Sequence, residues 1–323
     1  MPHTVVVGLG RSGGGLHAPV LRRLRDTHPE LFAAHPIVGF DPRSGTALRD
    51  GLAVDSLERA AAAVPPDDTV VHVCTPPGTR VPVLTRLAGL GFRRFVVEKP
   101  VAADPAALIG IERLRAAHGL DIVVVTQWLA SALTRRIDDV VRSGRFGPLR
   151  SIMVRQDKPR FGRSRGAGHA DAFDVEIPHT LAVALTLAGP ARLTTAGRPE
   201  PDLGPLAGAW LSVRHDGGAH TTIRSDLTSP VRRREITLRL RDTTVVGHYP
   251  VSADDHHAQL RVGDGPREVF EDESLGAFLL AAYRYFAGMA PAPPGEFTDH
   301  ARVVRLLAGA RALADQDVTA HAG

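Results

Sequence analysis

The chain has 323 residues, enough for one large domain or two, and its 43% hydrophobic and 23% charged shares are ordinary for a globular protein. A formal net charge of +4, only 5% aromatic residues and the absence of a basic run interleaved with aromatics speak against nucleic acid as a partner. The single cysteine, Cys74, excludes an intrachain disulfide and a cysteine-cluster metal centre, and no apolar run approaches the ~18 residues of a membrane span.

Met1-Pro2-His3-Thr4 leads straight into a strand without the basic and apolar segments of a signal peptide, so the expected location is the cytoplasm, with no membrane partner. Thr4-Val5-Val6-Val7 then runs into Gly8-Leu9-Gly10-Arg11-Ser12-Gly13. A strand that delivers Gly-x-Gly-x-x-Gly to a helix is the dinucleotide-binding fingerprint. Gly8 permits the tight turn, Gly10 the approach of a pyrophosphate, and Gly13 close helix–strand packing, with the phosphates at the helix N-terminus. Gly14 and Gly15 follow, so a turn one residue longer is open, with Gly14 in the third role. A helix is expected over residues 18–25. The second strand, residues 36–40, ends in Asp41, placed to accept hydrogen bonds from an adenosine ribose, which favours NAD over NADP. Arg43, two residues on, could instead meet a 2′-phosphate, which leaves NADP open.

Strand and helix signals alternate from there. Residues 57–64 read as a helix capped by Ser56, and residues 69–74 as a buried strand ending in Thr75-Pro76-Pro77-Gly78, a loop placed to line the cofactor cleft. A helix over 81–90 stops at Gly91. The next strand ends in Phe95-Val96-Val97-Glu98-Lys99-Pro100, and a helix over 106–118 and a strand over 122–125 follow. This alternation predicts a doubly wound, mostly parallel sheet, whose carboxyl edge is where ligands bind. Of the 39 basic residues only Lys99 and Lys158 are lysines; the rest are arginine. Arginine cannot release its proton, whereas a desolvated lysine can, so Lys99 at that edge is the first candidate for proton transfer.

Gly8-Leu9-Gly10, Asp41, Thr75-Pro76 and Glu98-Lys99-Pro100, each following a strand, occur in the order and approximate spacing of the glucose–fructose oxidoreductase/inositol dehydrogenase (Gfo/Idh/MocA) family, which the chain resembles. His17-Ala18-Pro19 also resembles the opening of that family's first helix. The resemblance implies an NAD- or NADP-dependent oxidoreductase of a sugar-like or cyclitol-like alcohol or ketone. It implies a Rossmann domain (residues 1–125) and an α+β domain with a large, mostly antiparallel sheet (126–323), with cofactor and substrate meeting between them. It also implies a homodimer or homotetramer. Arg11 and Ser12 join Gly8, Gly10, Gly13, Asp41, Arg43, Thr75, Pro76, Glu98 and Lys99 as expected cofactor contacts. Three other activities fit the same resemblance: a C=N reductase, a glycosidase that uses held NAD in a transient oxidation, and a cofactor-binding regulator without catalysis.

Beyond residue 125 the pattern changes. Residues 137–143 read as a helix, followed by a glycine-containing link (144–149) and a strand over 151–156. Arg155, Lys158, Arg160, Arg163 and Arg165 crowd a Gly-rich segment, read either as a lid that grips an anionic small-molecule substrate or as a solvated basic loop. Pro178 is comfortable only in a helix's first turn, so a helix is expected from there to 187, with His179 near its N-terminus, where a neutral ring suited to act as a base is favoured. The resembled family usually places an aspartate four residues before this histidine, where Val175 stands. Asp174 and Glu176 are the supporting acids at hand, and the choice between them stays open. Short strands follow over 209–214, 220–224, 235–240 and 244–249, with Asp216-Gly217-Gly218 a hairpin turn between the first two. Amphipathic helices are expected over 274–287 and 300–314. His256-His257 and the other scattered histidines lack ligand spacing, and no metal site is expected.

Overall fold

The computed structural model describes residues 1–43, 48–160, 171–199, 208–252, 255–292 and 294–321. The chain divides into two compact units, 1–127 with 275–304, and 128–274 with 305–323.

The first unit opens with β1 (His3–Val7), α1 (Ala18–Thr27), β2 (Val38–Phe40), β3 (Leu52–Val54) and α2 (Leu57–Ala63). It continues with β4 (Thr69–Val73), α3 (Arg80–Gly89), β5 (Arg94–Glu98), α4 (Pro105–His118) and β6 (Asp121–Val125). The six strands form one parallel sheet in the order β3-β2-β1-β4-β5-β6. Parallel strands covered on both faces must be apolar on both, which is why they read as β-branched runs. One row of paired residues, Val38, Val5, Val71, Phe95 and Ile122, crosses the sheet and packs with Ala60, Leu84, Leu87, Leu108 and Ile111 of the covering helices. Each of the valine, leucine, isoleucine and phenylalanine side chains among them contributes roughly 1.5–3 kcal/mol by leaving water. His72 pairs with Val6 and Val96, on the opposite face. Local signals set the helix ends: Ser56 Oγ accepts from the Arg59 N–H at 3.2 Å, Asp104 Oδ1 from the Ala107 N–H at 2.8 Å, and Gly119 leaves α4 with φ +60°.

Local details differ from the expectation. The second strand begins at Val38 rather than 36. The edge strand β3 was not expected: it has three residues, and its Leu52 is 42% exposed, so no periodicity betrays it. The loop expected over Thr75–Gly78 runs into a 3-10 turn, Pro77–Thr79, before α3.

The second unit contains α5 (Ala132–Arg142), β7 (Leu149–Asp157), α6 (Ala172–Val175), α7 (Ile177–Ala188), β8 (Ala191–Gly197), β9 (Gly208–His215), β10 (His220–Asp226), β11 (Arg233–Leu240), β12 (Thr244–His248), β13 (His257–Val262) and β14 (Glu268–Glu271). Its eight-stranded sheet, ordered β14-β13-β12-β11-β7-β10-β9-β8, is antiparallel except for the β7–β10 pair. Leu211, Ile223, Val154, Ile236, Gly247 and Leu260 form a buried row across it. A Cβ on Gly247 would lie 3.1 Å from Leu133 of α5, so the glycine admits that helix. Residues of the other face, such as Met153 at 59% exposure, are open. Asp272 caps α5 from far in sequence, accepting from Ser131 Oγ at 2.6 Å and the Ala132 N–H at 2.8 Å. Strands β13 and β14 were also not expected, because Gln259, Arg261 and Glu268 dilute the apolar pattern.

Residues 275–304 return to the first unit with most of α8 (Ser274–Phe286) and the start of α9 (Phe297–His321). There His300 Nε2 lies 2.9 Å from Thr126 Oγ1, and burial pushes the His300 pKa down to about 4 from 6.5. The ring is neutral when folded, and the unfolded chain takes up the proton first. Stability is therefore fully present above pH 6.5 and falls as the pH drops towards 4. We expect this one group to contribute about 2–3 kcal/mol of that loss. In His300→Gln, urea midpoints measured across this window should fall less steeply than in the wild type; an unchanged slope would contradict the assignment.

Candidate active site

The glycine turn is closed by contact. Gly8 has φ +90°, a conformation side chains avoid, and a Cβ there would lie 3.0 Å from the Cys74 carbonyl carbon and the Thr75 nitrogen. A Cβ on Gly13 would lie 2.0 Å from Gly8 O and 2.9 Å from Val6 Cγ1; one on Gly14 would lie 2.5 Å from Leu9 O. Both of the glycines weighed for the third role are therefore tight, and Gly13 more so. The extra glycine is absorbed by a π-turn over Gly13–His17, in which the Gly15 N–H donates to Gly10 O at 3.2 Å and the His17 N–H to Ser12 O at 2.8 Å. That turn carries His17 into the interior, where it is 0% exposed.

Asp41 follows β2. Its carboxylate accepts from the Leu9 N–H at 2.8 Å and from Arg43 Nε at 2.9 Å and Nη2 at 3.0 Å. The Arg43 bonds lead the opposition to burial, and the Asp41 pKa is lowered to about 2. Arg43 extends over the glycine turn, where a Cβ on Gly10 would lie 3.3 Å from its Nη2. Arg11 and Pro76 are exposed. Thr75 is buried, and its carbonyl accepts from Arg80 Nε at 3.2 Å and Nη2 at 3.1 Å. Arg80 is 2% exposed, and burial pushes its pKa down to about 10. Among the described residues, neither Thr75 Oγ1 nor Arg80 Nη1 has a hydrogen-bond partner. Such groups are costly unless something supplies one. Gly8, Gly13 and Gly14 with no room for a Cβ, an acid after β2, and two buried polar atoms unpartnered among the described residues fit a dinucleotide at this sheet edge.

Glu98 ends β5, and the Lys99–Pro100 peptide that follows is cis. Glu98 Oε1 lies 2.5 Å from Ser12 Oγ and 3.1 Å from His17 Nε2. Burial would raise the Glu98 pKa, but His17, Lys99 and Ser12 outweigh it and hold the carboxyl well below its ordinary range. The structure thus brings Ser12, Glu98 and His17 together beside Lys99. His17 continues to His72, Nδ1 to Nδ1 at 2.9 Å; His72 Nε2 to Tyr283 Oη at 3.1 Å; and Tyr283 Oη to Thr4 Oγ1 at 2.7 Å. The sequence reading missed Arg80, His72 and Tyr283. A histidine inside the otherwise apolar Thr69-Val70-Val71-His72-Val73 was the available signal for one of them.

In the second unit, His179 is the third residue of α7 and 7% exposed. Its ring stacks on Trp128 at 6.0 Å, and Trp128 stacks on Tyr249 at 4.1 Å. Glu176, just before α7, accepts from Lys158 Nζ at 2.5 Å and from Gln156 Nε2. Asp174 pairs with Arg311. Three of the basic-loop residues lie within the described part of the chain. Arg155 pairs with Asp157 at 2.8 Å, Lys158 with Glu176, and the Lys158 and Arg160 N–H groups bond Asp226 O and Leu227 O, prolonging the strand pairing. Arg163 and Arg165 lie outside the described residues.

No family model matches the sequence, and no curated protein matches it. Solved structures do. UDP-N-acetylglucosamine 3-dehydrogenase GnnA from Acidithiobacillus ferrooxidans shares 16% identity over 98% of both chains, with a TM-score of 0.77. KijD10, a 3-ketoreductase from Actinomadura kijaniata in complex with TDP-benzene and NADP, shares 16% over 97% of this chain and 98% of its own, also at 0.77. An oxidoreductase from Thermotoga maritima shares 13% over 97% and 96%, again at 0.77. At these identities the likeness is one of fold: a parallel Rossmann-like sheet followed by a second, mostly antiparallel sheet, as in these two-domain oxidoreductases.

Proposed function

We propose that the protein is an NAD(P)-dependent oxidoreductase that interconverts an alcohol and a ketone on a sugar carried by a nucleoside diphosphate. The glycine cradle, closed on Gly13 and set beside Glu98 and Lys99, is the observation that carries this reading. The substrate class comes from the fold-mates, a UDP-sugar dehydrogenase and a ketoreductase bound to a TDP compound. Gly8, Gly10, Arg11, Ser12 and Gly13 would hold the pyrophosphate side of the cofactor, Asp41 and Arg43 the adenosine ribose, and Thr75, Pro76 and Glu98 the nicotinamide side. The bound nicotinamide supplies or accepts the hydride. The protein must move the accompanying proton to or from the substrate oxygen, and Lys99 Nζ is assigned that step, with Glu98 orienting it. His179 is the second candidate for acid–base work. A homodimer or homotetramer through the open face of the eight-stranded sheet belongs to the same reading. Screening nucleoside-diphosphate sugars and keto-sugars for change in NAD(P)H absorbance tests the assignment. Turnover with that class and none with free sugars supports it; turnover only with imines would replace it.

The cofactor preference follows from Asp41. Its carboxylate would accept from ribose hydroxyls and repel a 2′-phosphate more than the paired Arg43 would attract one, so NADH should bind more tightly than NADPH. Asp41→Asn should narrow that ratio about tenfold, the size of one charge-assisted contact. Calorimetric titration with both cofactors checks this, and a wild-type preference for NADPH would contradict it.

A further inference from the structure

The carboxylate beside Lys99 poses a difficulty. An unopposed anion next to an ammonium strengthens its hold on the proton, which hinders a lysine that must release one. We propose that His17 and His72 are positioning residues. As a buried imidazole pair anchored by Tyr283 and Thr4, they hold a proton against Glu98 and so set the charge that Lys99 faces. The inference rests on the proton-transfer role given to Lys99 above.

Glu98 Oε1 accepts, so His17 Nε2 must carry a hydrogen. Only one proton fits between two Nδ1 atoms 2.9 Å apart. If His17 owns it, His17 is a cation, His72 bears its hydrogen on Nε2 and donates to Tyr283 Oη, and Tyr283 donates to Thr4 Oγ1. If His72 owns it, His17 is neutral, and the bonds from His72 to Thr4 reverse direction. Both arrangements leave every contact in the chain made, and they differ by one proton. The pair can therefore carry +1 or 0 without orphaning a buried polar group.

The charged and titratable groups around the pair are Glu98 and Lys99 at the end of β5, Cys74 after β4, Arg80 opening α3, and Tyr283 from α8. Burial opposes a charge on His17, but Cys74 and Glu98 outweigh it and raise that ring's pKa to about 10. Burial and the His17 charge together push His72 well below 6.5. Both directions favour the cationic arrangement near neutral pH, with the His17 charge facing Cys74 as well as Glu98.

The near-absence of lysine makes the test direct. Reductive methylation with carbon-13 formaldehyde labels Lys99, Lys158 and the N-terminus, and the Lys99→Arg variant identifies the Lys99 signal. In His17→Asn the midpoint of the Lys99 titration should rise by about one pH unit, as expected for a carboxylate left uncompensated. His72→Leu and Tyr283→Phe should raise it less. His72→Asn, whose side-chain oxygen can accept the His17 proton, should restore the wild-type midpoint. Lys158 should not move in any variant. An unmoved Lys99 midpoint in folded His17→Asn overturns the proposal. Should that variant not fold, nitrogen-15 histidine spectra of the wild type decide. The proposal requires both His17 ring nitrogens protonated and His72 protonated only on Nε2 near neutral pH, and a neutral His17 overturns it. These readings need neither substrate nor cofactor, so their failure is separate from any failure of Lys99→Ala to lose turnover.

Discussion

Lys99→Ala is expected to lower turnover about 10²–10⁴-fold, the usual contribution of a positioned acid or base, while weakening dinucleotide affinity far less, because Lys99 is one expected cofactor contact among many, and leaving thermal stability close to wild type. Lys99 is only partly buried and stands at the end of β5, so its truncation empties no core position. The cradle that would hold the pyrophosphate is built from backbone and glycine contacts that do not involve its side chain. Activity should therefore fall far more than binding. Parallel losses in melting temperature and cofactor affinity would show Lys99 to be structural. His179→Ala, measured alongside, separates the two acid–base candidates: if Lys99 carries the proton, its loss is the larger.

The second large effect is expected at Gly13. In Gly13→Ala the new methyl meets Gly8 O at 2.0 Å and Val6 Cγ1 at 2.9 Å. The first is a backbone oxygen at the end of a central strand, paired on both sides, and cannot give way cheaply. The substitution should destabilise the first unit by about 3 kcal/mol, towards the upper end for overpacking, and abolish dinucleotide binding. Gly15→Ala is the control, since nothing among the described residues lies within 4 Å of its Cβ position. Denaturant midpoints and cofactor titration on the two variants check this, and equal behaviour would contradict the closed-turn geometry.

What could be read from the sequence is what short-range pattern encodes. The β-branched runs ending at Val7, Val73 and Val97 announce buried parallel strands, and the glycines after Val7 announce a turn too tight for side chains. Single-strand alternation also announces the antiparallel second half. The unread parts depend on distant residues. His72 and Tyr283 are 211 positions apart, and no local periodicity reports that a strand histidine and a helix tyrosine share a bond. Lys158 looked like one more charge in a basic loop because its partner, Glu176, lies 18 residues away. β3 is too short and too exposed for any pattern. The π-turn was half visible: three consecutive glycines suggested an extra residue, but not that His17 would be turned inward to meet Glu98.

In the proposed function, the β1–α1 turn and the edge beside Glu98 and Lys99 receive a nicotinamide dinucleotide. Calorimetric titration of the full chain with NAD⁺, NADH, NADP⁺ and NADPH tests it most directly. One-to-one binding of at least one of them, lost in Gly13→Ala and kept in Lys99→Ala, is the predicted result; no binding of any of the four would contradict the account.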